Sequence, residues 1–148
     1  MGGAAGLSWI EFEANVLHDA PELIELSERQ GFTALPRGPL GTGLITGSYP
    51  PGSRIVDELD FRYRSPQLLR YFTDGHPDPV LGARLEALLD ILTADGRTIT
   101  QVALAWHWAR SPALVPIPGA RTVAQVRENA AALPADPSPT SSSTRSAR

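Results

Sequence analysis

Predicted strands and predicted helices alternate along this chain, and that order constrains its fold more than any other feature. Residues 9–16 alternate apolar and polar side chains as a strand does, while 32–35 and 114–117 are short apolar runs. One helix is predicted between the first two strands, two between the second and third, and one after the third. This order is typical of right-handed βαβ units on a parallel α/β sheet. Three strands do not close a barrel, and open sheet edges invite pairing with another chain.

Capping residues indicate where the predicted helices begin and end. Asp19 is a candidate cap for the first helix, which Gly31 ends. The second helix is predicted over 79–94, where leucines recur at helical spacing. The pattern Thr-x-x-Gln at 98–101, and again at the start of the helix over 122–132, forms a capping box. In a capping box each of the two side chains satisfies the backbone N–H of the other residue.

A long segment over 37–78 has no regular period. It contains several prolines and glycines, and loops of this length are usually functional or disordered. The segment nevertheless keeps many apolar and aromatic residues, including all three tyrosines. We therefore predict that it packs against the rest of the chain.

Composition excludes several classes of site. The 148 residues contain no cysteine and no lysine, which excludes disulfides, thiolate metal sites and lysine nucleophiles. The net charge of −3 argues against nucleic acid as a partner, because phosphate binding needs a basic patch. No apolar run reaches the ~20 residues of a membrane span. The first residues also lack the features of a signal peptide, so we expect a soluble cytoplasmic protein.

The two ends of the chain differ in composition from the part between them. Residues 1–8 are rich in glycine and alanine and predict a flexible amino-terminal segment. Residues 134–148 are rich in proline, serine and threonine and predict a disordered tail. The folded unit is accordingly predicted over 9–133.

The junction between the last predicted strand and the last predicted helix is a candidate anion site. Gly119 lets the backbone approach a ligand closely, and a helix beginning near Thr122 presents N–H groups and a positive dipole end. Arg121 offers a planar fork of donors that suits a phosphate. Three polar residues at helical spacing can share one face of that helix: Gln125, Glu128 and Asn129. The alternative is an ordinary capped helix with a solvent-exposed arginine.

Four segments of the chain, in order, resemble the NADP-dependent aldo-keto reductases. They are NVLHDAP at 15–21, RGPLGTGLITG at 37–47, TQVALAW at 100–106 and IPGARTVAQVREN at 117–129. The last is similar to the cofactor signature of that family at nearly every diagnostic position. Together the four segments extend the resemblance over roughly 9–133.

The resemblance implies a fold, a cofactor and a set of contacts. The fold is a partial (β/α)8 TIM barrel of roughly the last three βα units, and the parent reaction is NADPH-dependent reduction of an aldehyde or ketone. Eight residues are expected to contact NADP(H): Pro39, Leu40, Gly41, Gly119, Arg121, Gln125, Glu128 and Asn129. The glycines of the 37–47 loop also fit a simple tight turn. Arg37, Gly38 and Ser48 depart from the family pattern.

The catalytic tyrosine, lysine, aspartate and histidine of the family belong to the other half of the barrel, so we expect no catalytic and no metal-binding residue here. Glu11 stands where the family has a glutamine, and a carboxylate cannot replace its donor. Glu11 and Glu13 are expected to form a solvated rim, with a carboxylate pair for acid–base chemistry as the alternative. His107, between two tryptophans, is expected to be structural.

Three hypotheses remain open for the function. The chain could be a reductase fragment without turnover of its own, which accepts a carbonyl substrate only when the missing half completes it. It could also be a non-enzymatic NADP(H)-binding module that pairs with another half-barrel or with its own copy. The third hypothesis is a decayed gene product.

Overall fold

The computed structural model describes residues 8–64, 70–93 and 96–133. The predicted flexible segment, apart from Ser8, and the predicted disordered tail therefore lie outside the described residues. The elements follow in this order: β1 Trp9–Glu13, α1 Pro21–Gln30, β2 Thr33–Arg37, a 3-10 helix Gly41–Thr46, α2 Phe61–Arg64, β3 Phe72–Thr73, β4 His76–Pro77, α3 Pro79–Leu92, α4 Ile99–Arg110 and α5 Val123–Ala130.

The main sheet is parallel, as predicted. β1 pairs with β2 from Trp9 opposite Thr33 to Glu13 opposite Arg37, and α1 connects the two strands. β3 and β4 form a separate short antiparallel hairpin within the long segment. None of the described helices is both long and apolar enough to cross a bilayer.

The predicted third strand forms one parallel bridge to β2 rather than a regular strand. Leu114 pairs with Ala34, the N–H of Val115 donates to the Ala34 carbonyl at 2.8 Å, and that of Ile117 donates to the Pro36 carbonyl at 3.2 Å. Pro36 has no N–H, so it cannot return a hydrogen bond to this segment. The prediction of a strand over 114–117 is therefore corrected to an extended segment that follows β2 in parallel.

β1 is shorter than predicted because the chain turns sharply after Glu13. Asn15 and His18 exchange backbone hydrogen bonds of 2.8 and 2.9 Å, and the Asn15 side chain accepts from the N–H of Leu17 at 2.9 Å. These bonds satisfy the backbone locally, as asparagine does in turns. The predicted strand over 9–16 therefore ends at Glu13.

Two of the three predicted amino-terminal caps are present, and so is the predicted carboxyl-terminal cap. Thr98 and Thr122 each form a complete capping box with the glutamine three residues later, and Gly31 ends α1 in the left-handed conformation. The prediction for Asp19 was wrong, since Ala20 is the cap residue of α1 and contributes no side-chain hydrogen bond. The Asp19 carboxylate instead pairs with Arg110 of α4 at 2.7 Å.

One face of the sheet is covered, and the other leaves large apolar side chains exposed. Phe12, Ala34 and Leu114 project to the same face and pack with Ile24 of α1 in a buried cluster. Burying a large apolar side chain of this kind stabilises the fold by roughly 1.5–3 kcal/mol. On the opposite face, three large apolar residues stay exposed: Trp9, Val115 and Ile117.

The described parts of the long segment, 37–64 and 70–78, pack against the rest of the chain, as predicted. Two buried clusters anchor it. The first consists of Leu44, Ile55, Tyr71 and Phe72, and the second of Ile45, Leu85 and Ala103. The 3-10 helix contributes to both clusters, and through them it is fixed against α3 and α4.

Candidate functional site

A cleft of about 740 Å³ lies between the 3-10 helix, the segment 57–62 and the amino-terminal end of α5. Its size falls within the range of small-molecule sites, roughly 300–1,000 Å³. The structure brings together at this cleft all of the predicted contacts except Gly41: Pro39, Leu40, Gly119, Arg121, Gln125, Glu128 and Asn129. Two segments about eighty positions apart thus meet at one cleft.

The amino-terminal end of α5 is held in a fixed geometry by Gln125. Its Oε1 accepts hydrogen bonds from the backbone N–H groups of Arg121 at 2.7 Å and Thr122 at 3.2 Å. The Thr122 hydroxyl in turn accepts from the backbone N–H of Gln125 at 3.2 Å. Because Oε1 caps the helix, the side-chain amide NH₂ is the group with which Gln125 can contact a ligand.

Arg121 is exposed at the cleft, and within the described ranges its guanidinium makes no hydrogen bond or ion pair. A Cβ built on Gly119 meets no atom within 4 Å, so the backbone before Arg121 is open to close approach. An exposed guanidinium beside a capped helix start is suited to a dianionic group.

Glu128 links α5 to α4. Its Oε1 accepts a 2.7 Å hydrogen bond from the hydroxyl of Thr98, the cap residue of α4. The carboxylate therefore links the two helices and also lines the cleft, and its contact with NADP(H) stays a prediction. Asn129, half-buried beside it, also lines the cleft.

Gly41 does not line the cleft; it shapes the loop. Its φ is +54°, and a Cβ there would lie 3.1 Å from Cδ1 of Ile45 and 3.3 Å from Cε1 of Tyr71. Both the left-handed backbone and the close packing require glycine. This geometry agrees with the tight-turn alternative for Gly41, and its contact with NADP(H) stays a prediction.

A buried arginine at the cleft was missed by the sequence analysis. Arg62 is 5% exposed, and its Nε and Nη2 donate to the two carboxylate oxygens of Asp60 at 2.8 and 2.5 Å. Its Nη1 donates to the hydroxyl of Tyr49 at 2.6 Å and to the carbonyl of Thr42 at 3.0 Å. Arg62 thus joins the segment 57–62 to the 3-10 helix across the cleft. The only sequence signal was a lone Asp-x-Arg pair in an aperiodic loop.

The Asp60–Arg62 pair is charged over the whole physiological range. Hydrogen bonds from the Arg62 side chain lower the pKa of Asp60 to about 2 against an opposing effect of burial, and the charge of Arg121 contributes a smaller part. The pKa of Arg62 is raised, chiefly by its hydrogen bond to Asp60. The guanidinium also lies over the ring of Tyr49, 4.9 Å from its centroid.

A second hydrogen-bonded group lies where β1 and β2 end. The Tyr71 hydroxyl donates to Oε1 of Glu13 at 2.6 Å and accepts from Nδ2 of Asn15 at 2.6 Å. Nδ2 of Asn15 also donates to the carbonyl of Gly38, a cleft residue, at 2.9 Å. Burial, and then the Glu13 carboxylate, raise the pKa of Tyr71, so its hydroxyl stays protonated. The solvated rim predicted for Glu11 and Glu13 holds only for Glu11, because the Glu13 side chain is 14% exposed.

His107 is a core residue, as expected. It is fully buried on α4, and its Nε2 lies 3.0 Å from the carbonyl oxygen of Ala14, just beyond β1. Burial lowers the pKa of the imidazole and favours its neutral form. His107 thereby connects α4 to the end of β1 behind the cleft.

Comparison with known proteins identifies relatives of this chain. It is 30% identical over 112 residues to the chloroplastic pyridoxal reductase of Arabidopsis thaliana, a match that covers 76% of this chain and 27% of the relative. It is 32% identical over 110 residues to aldo-keto reductase str7 of Strobilurus tenacellus, covering 74% of this chain and 31% of the relative. It is 31% identical over 118 residues to aldo-keto reductase yakc [NADP(+)] of Schizosaccharomyces pombe, covering 78% and 33%.

The matches therefore span about a third of the length of these relatives. The model of the aldo/keto reductase family matches residues 2–143 of the chain. That match includes the cleft and both of the segments that form its walls. The chain belongs to the aldo/keto reductase family of oxidoreductases.

Proposed function

We propose that the cleft binds NADP(H), and that the parent reaction is the NADPH-dependent reduction of an aldehyde or ketone. The observation that supports this most is the meeting of 39–40 and 119–129 at one cleft that an exposed guanidinium lines. The name of one relative includes NADP(+), which points in the same direction. Bound NADPH would supply the hydride for the carbonyl carbon.

The donor set of the cleft fits a dinucleotide that carries an additional phosphate. Arg121 is exposed and can hold the 2′-phosphate through two parallel hydrogen bonds. The amide groups of Gln125 and Asn129 line the same cleft and offer hydrogen bonds to the adenosine in this proposal. Pro39 and Leu40 provide an apolar wall for the remainder of the dinucleotide.

We further propose that 9–133 forms roughly the last three βα units of a (β/α)8 barrel. Three features support it: membership of the family, the parallel order of β1, β2 and the segment 114–117, and a cleft beyond the carboxyl ends of these strands. In such a barrel the sheet face that carries Trp9, Val115 and Ile117 would be covered.

These residues alone are proposed to have no reductase turnover. The chain has no lysine to lower the pKa of a tyrosine, and the buried Tyr71 has its pKa raised rather than lowered. Such a hydroxyl is a poor proton donor near neutral pH. Carbonyl-dependent oxidation of NADPH by the pure protein, above a blank, would overturn this part of the proposal.

Binding is tested by calorimetric titration of the full chain with NADPH and with NADH. Arg121→Gln is expected to weaken NADPH binding by about tenfold or more, in line with the loss of a charge-assisted hydrogen bond, and to leave NADH binding nearly unchanged. Arg127→Gln is the matched control, since Arg127 is exposed on the same helix and does not line the cleft. Absence of NADPH binding, or equal weakening by both variants, contradicts the proposal.

The open sheet face supports a second candidate, a non-enzymatic NADP(H)-binding module that pairs with another half-barrel or with its own copy. Trp9, Val115 and Ile117 are between 42% and 54% exposed on that face. Light scattering of the pure chain tests self-pairing, and a monomer that binds NADPH would exclude a pair of identical copies. If the chain binds no NADPH either as a monomer or as a dimer, the result would instead support the hypothesis of a decayed gene product.

A further inference from the structure

Two arginines lie beside the cleft at the ends of β1 and β2, and the proposed function uses neither. Nη2 of Arg37 lies 3.3 Å from Oε2 of Glu13, and Nε of Arg70 lies 3.5 Å from Oε1 of the same carboxylate. The arginine side chains are 57% and 51% exposed, while that of Glu13 is 14% exposed. One largely buried carboxylate thus separates two half-exposed guanidiniums.

Two positively charged guanidiniums, of Arg37 and Arg70, face one negatively charged carboxylate, of Glu13. Arg37 has no partner other than Glu13 in the part of the chain that the structure describes, and Arg70 adds only a 2.8 Å contact between Nη1 and Nδ1 of His18. Oε1 of Glu13 also accepts from the Tyr71 hydroxyl, which further divides its accepting capacity. Each guanidinium carries five N–H donors, so many more donors than acceptors are present.

Stability does not explain two arginines on one carboxylate. Exposed ion pairs contribute about 0–1 kcal/mol, and the second cation repels the first. Tyr71 already fixes Glu13 by a 2.6 Å hydrogen bond, so neither arginine is needed to position the carboxylate. The arrangement instead resembles a preformed anion site, in which the Glu13 carboxylate holds both guanidiniums 3.3 to 3.5 Å from its oxygens.

The group adjoins the cleft. Arg37 precedes Gly38, which lines the cleft, and a Cβ built on Gly38 would lie 3.9 Å from Cγ of Glu13. The side chain of Asn15 connects the Tyr71 hydroxyl to the carbonyl of Gly38. An anion held by Arg37 would therefore lie beside a ligand in the cleft.

We propose that Arg37 and Arg70 form an anion subsite that takes the carboxylate of a carbonyl-containing acid, so that the substrates of the completed enzyme are anionic aldehydes or ketones. That the substrate has a carbonyl group follows from the proposed function. That it also has a carboxylate is inferred from the two guanidiniums. The subsite is distinct from Arg121, which lies at the start of α5.

The subsite is tested by NMR of the arginine Nε–H groups in the full chain, with 4-carboxybenzaldehyde as the probe. Methyl 4-formylbenzoate, which has the same frame without the charge, is the control ligand. Resonances of Arg37 and Arg70 are identified by their loss in Arg37→Gln and Arg70→Gln. We expect saturable shifts of these two resonances with the acid and none with the ester.

Substitutions of Arg37 and of Glu13 are expected to change the affinity for the acid in opposite directions. Arg37→Gln should weaken binding of the acid by about fivefold, as for one partly exposed ion pair, whereas Glu13→Gln should tighten it because a competing carboxylate is removed. Glutamine at 13 keeps an oxygen that can accept from Tyr71. Arg29→Gln, at a 59% exposed arginine paired with Glu25, is the control and should change nothing.

Repeating the titration with saturating NADPH separates the possible sources of the anion. If NADPH alone shifts the two resonances and blocks the acid, the subsite belongs to the cofactor and the substrate assignment is wrong. If NADPH binds normally and the acid shifts neither resonance, the anion subsite fails while the proposed function stands. If the acid binds but NADPH does not, the proposed function fails and the anion subsite stands.

Discussion

Arg62 and Asp60 form a nearly buried ion pair within one wall of the cleft, with the Arg62 Nε 2.8 Å from Oδ1 of Asp60 and both side chains at most 10% exposed. The same guanidinium donates to the carbonyl of Thr42, twenty positions earlier. Arg62, held by Asp60, therefore connects the segment 57–62 to the 3-10 helix, and the sequence gives no sign of this connection.

Arg62→Met is expected to destabilise the chain strongly. It leaves the Asp60 carboxylate without its partner in a poorly hydrated position, which typically costs about 3–5 kcal/mol. The free energy of urea-induced unfolding measures this cost. Arg84→Met, at an exposed position of α3, is the control, and an equally small effect of both variants would contradict the role given to Arg62.

The lowered pKa of Asp60 predicts that the folded state loses stability in acid. Its pKa is about 2 in the folded state against 3.8 for the free group, so the unfolded state binds a proton more readily. The stability that the carboxylate contributes is full above the unfolded pKa and is lost as the pH falls from near 4 towards 2. Unfolding free energies of the chain and of Asp60→Asn should converge over that window. A difference that stays constant down to pH 2 would argue against the assigned shift.

The lowered pKa of His107 predicts a second dependence of stability on pH, at higher pH than that of Asp60. Its pKa is lowered by burial, so the folded state prefers the neutral imidazole and the unfolded state takes up a proton first. Stability is therefore full above the unfolded pKa near 6.5 and decreases as the pH falls below it. His107→Gln should flatten the dependence of the unfolding free energy on pH between 7 and 5. His18→Gln, at a half-buried turn position, is the comparison and should leave most of that slope.

Two glycines with similar backbones should respond differently to alanine. Both Gly41 and Gly52 have positive φ, +54° and +81°, but only Gly41 has side-chain atoms within 3.4 Å of a built Cβ. Gly52→Ala should therefore cost about 1–2 kcal/mol for the backbone alone. Gly41→Ala should cost more, because Ile45 and Tyr71 must also shift. Equal midpoints of thermal unfolding for the two variants would show that this packing is not tight.

The sequence predicted correctly several features that depend on residues close together along the chain. The Thr122–Gln125 capping box, the end of α1 at Gly31 and the parallel order of the strands all follow from short-range pattern. Pattern could also place Arg121 and Gly119 at the junction between an extended segment and a helix, because that junction lies within five residues. Asp19 was predicted wrongly because its carboxylate pairs with the distant Arg110 instead.

The sequence by itself determined the positions of the four longer helices and of the paired strands β1 and β2, and it indicated which residues could form an anion site. Only the tertiary structure decided that Glu128 would bind Thr98, that Gly41 would serve packing, and that Arg62 would be buried beside the cleft. The physical reason is that capping and periodicity act between near neighbours, whereas burial and ion pairing depend on which distant segments meet. Nothing in the local pattern of an aperiodic loop encodes that meeting.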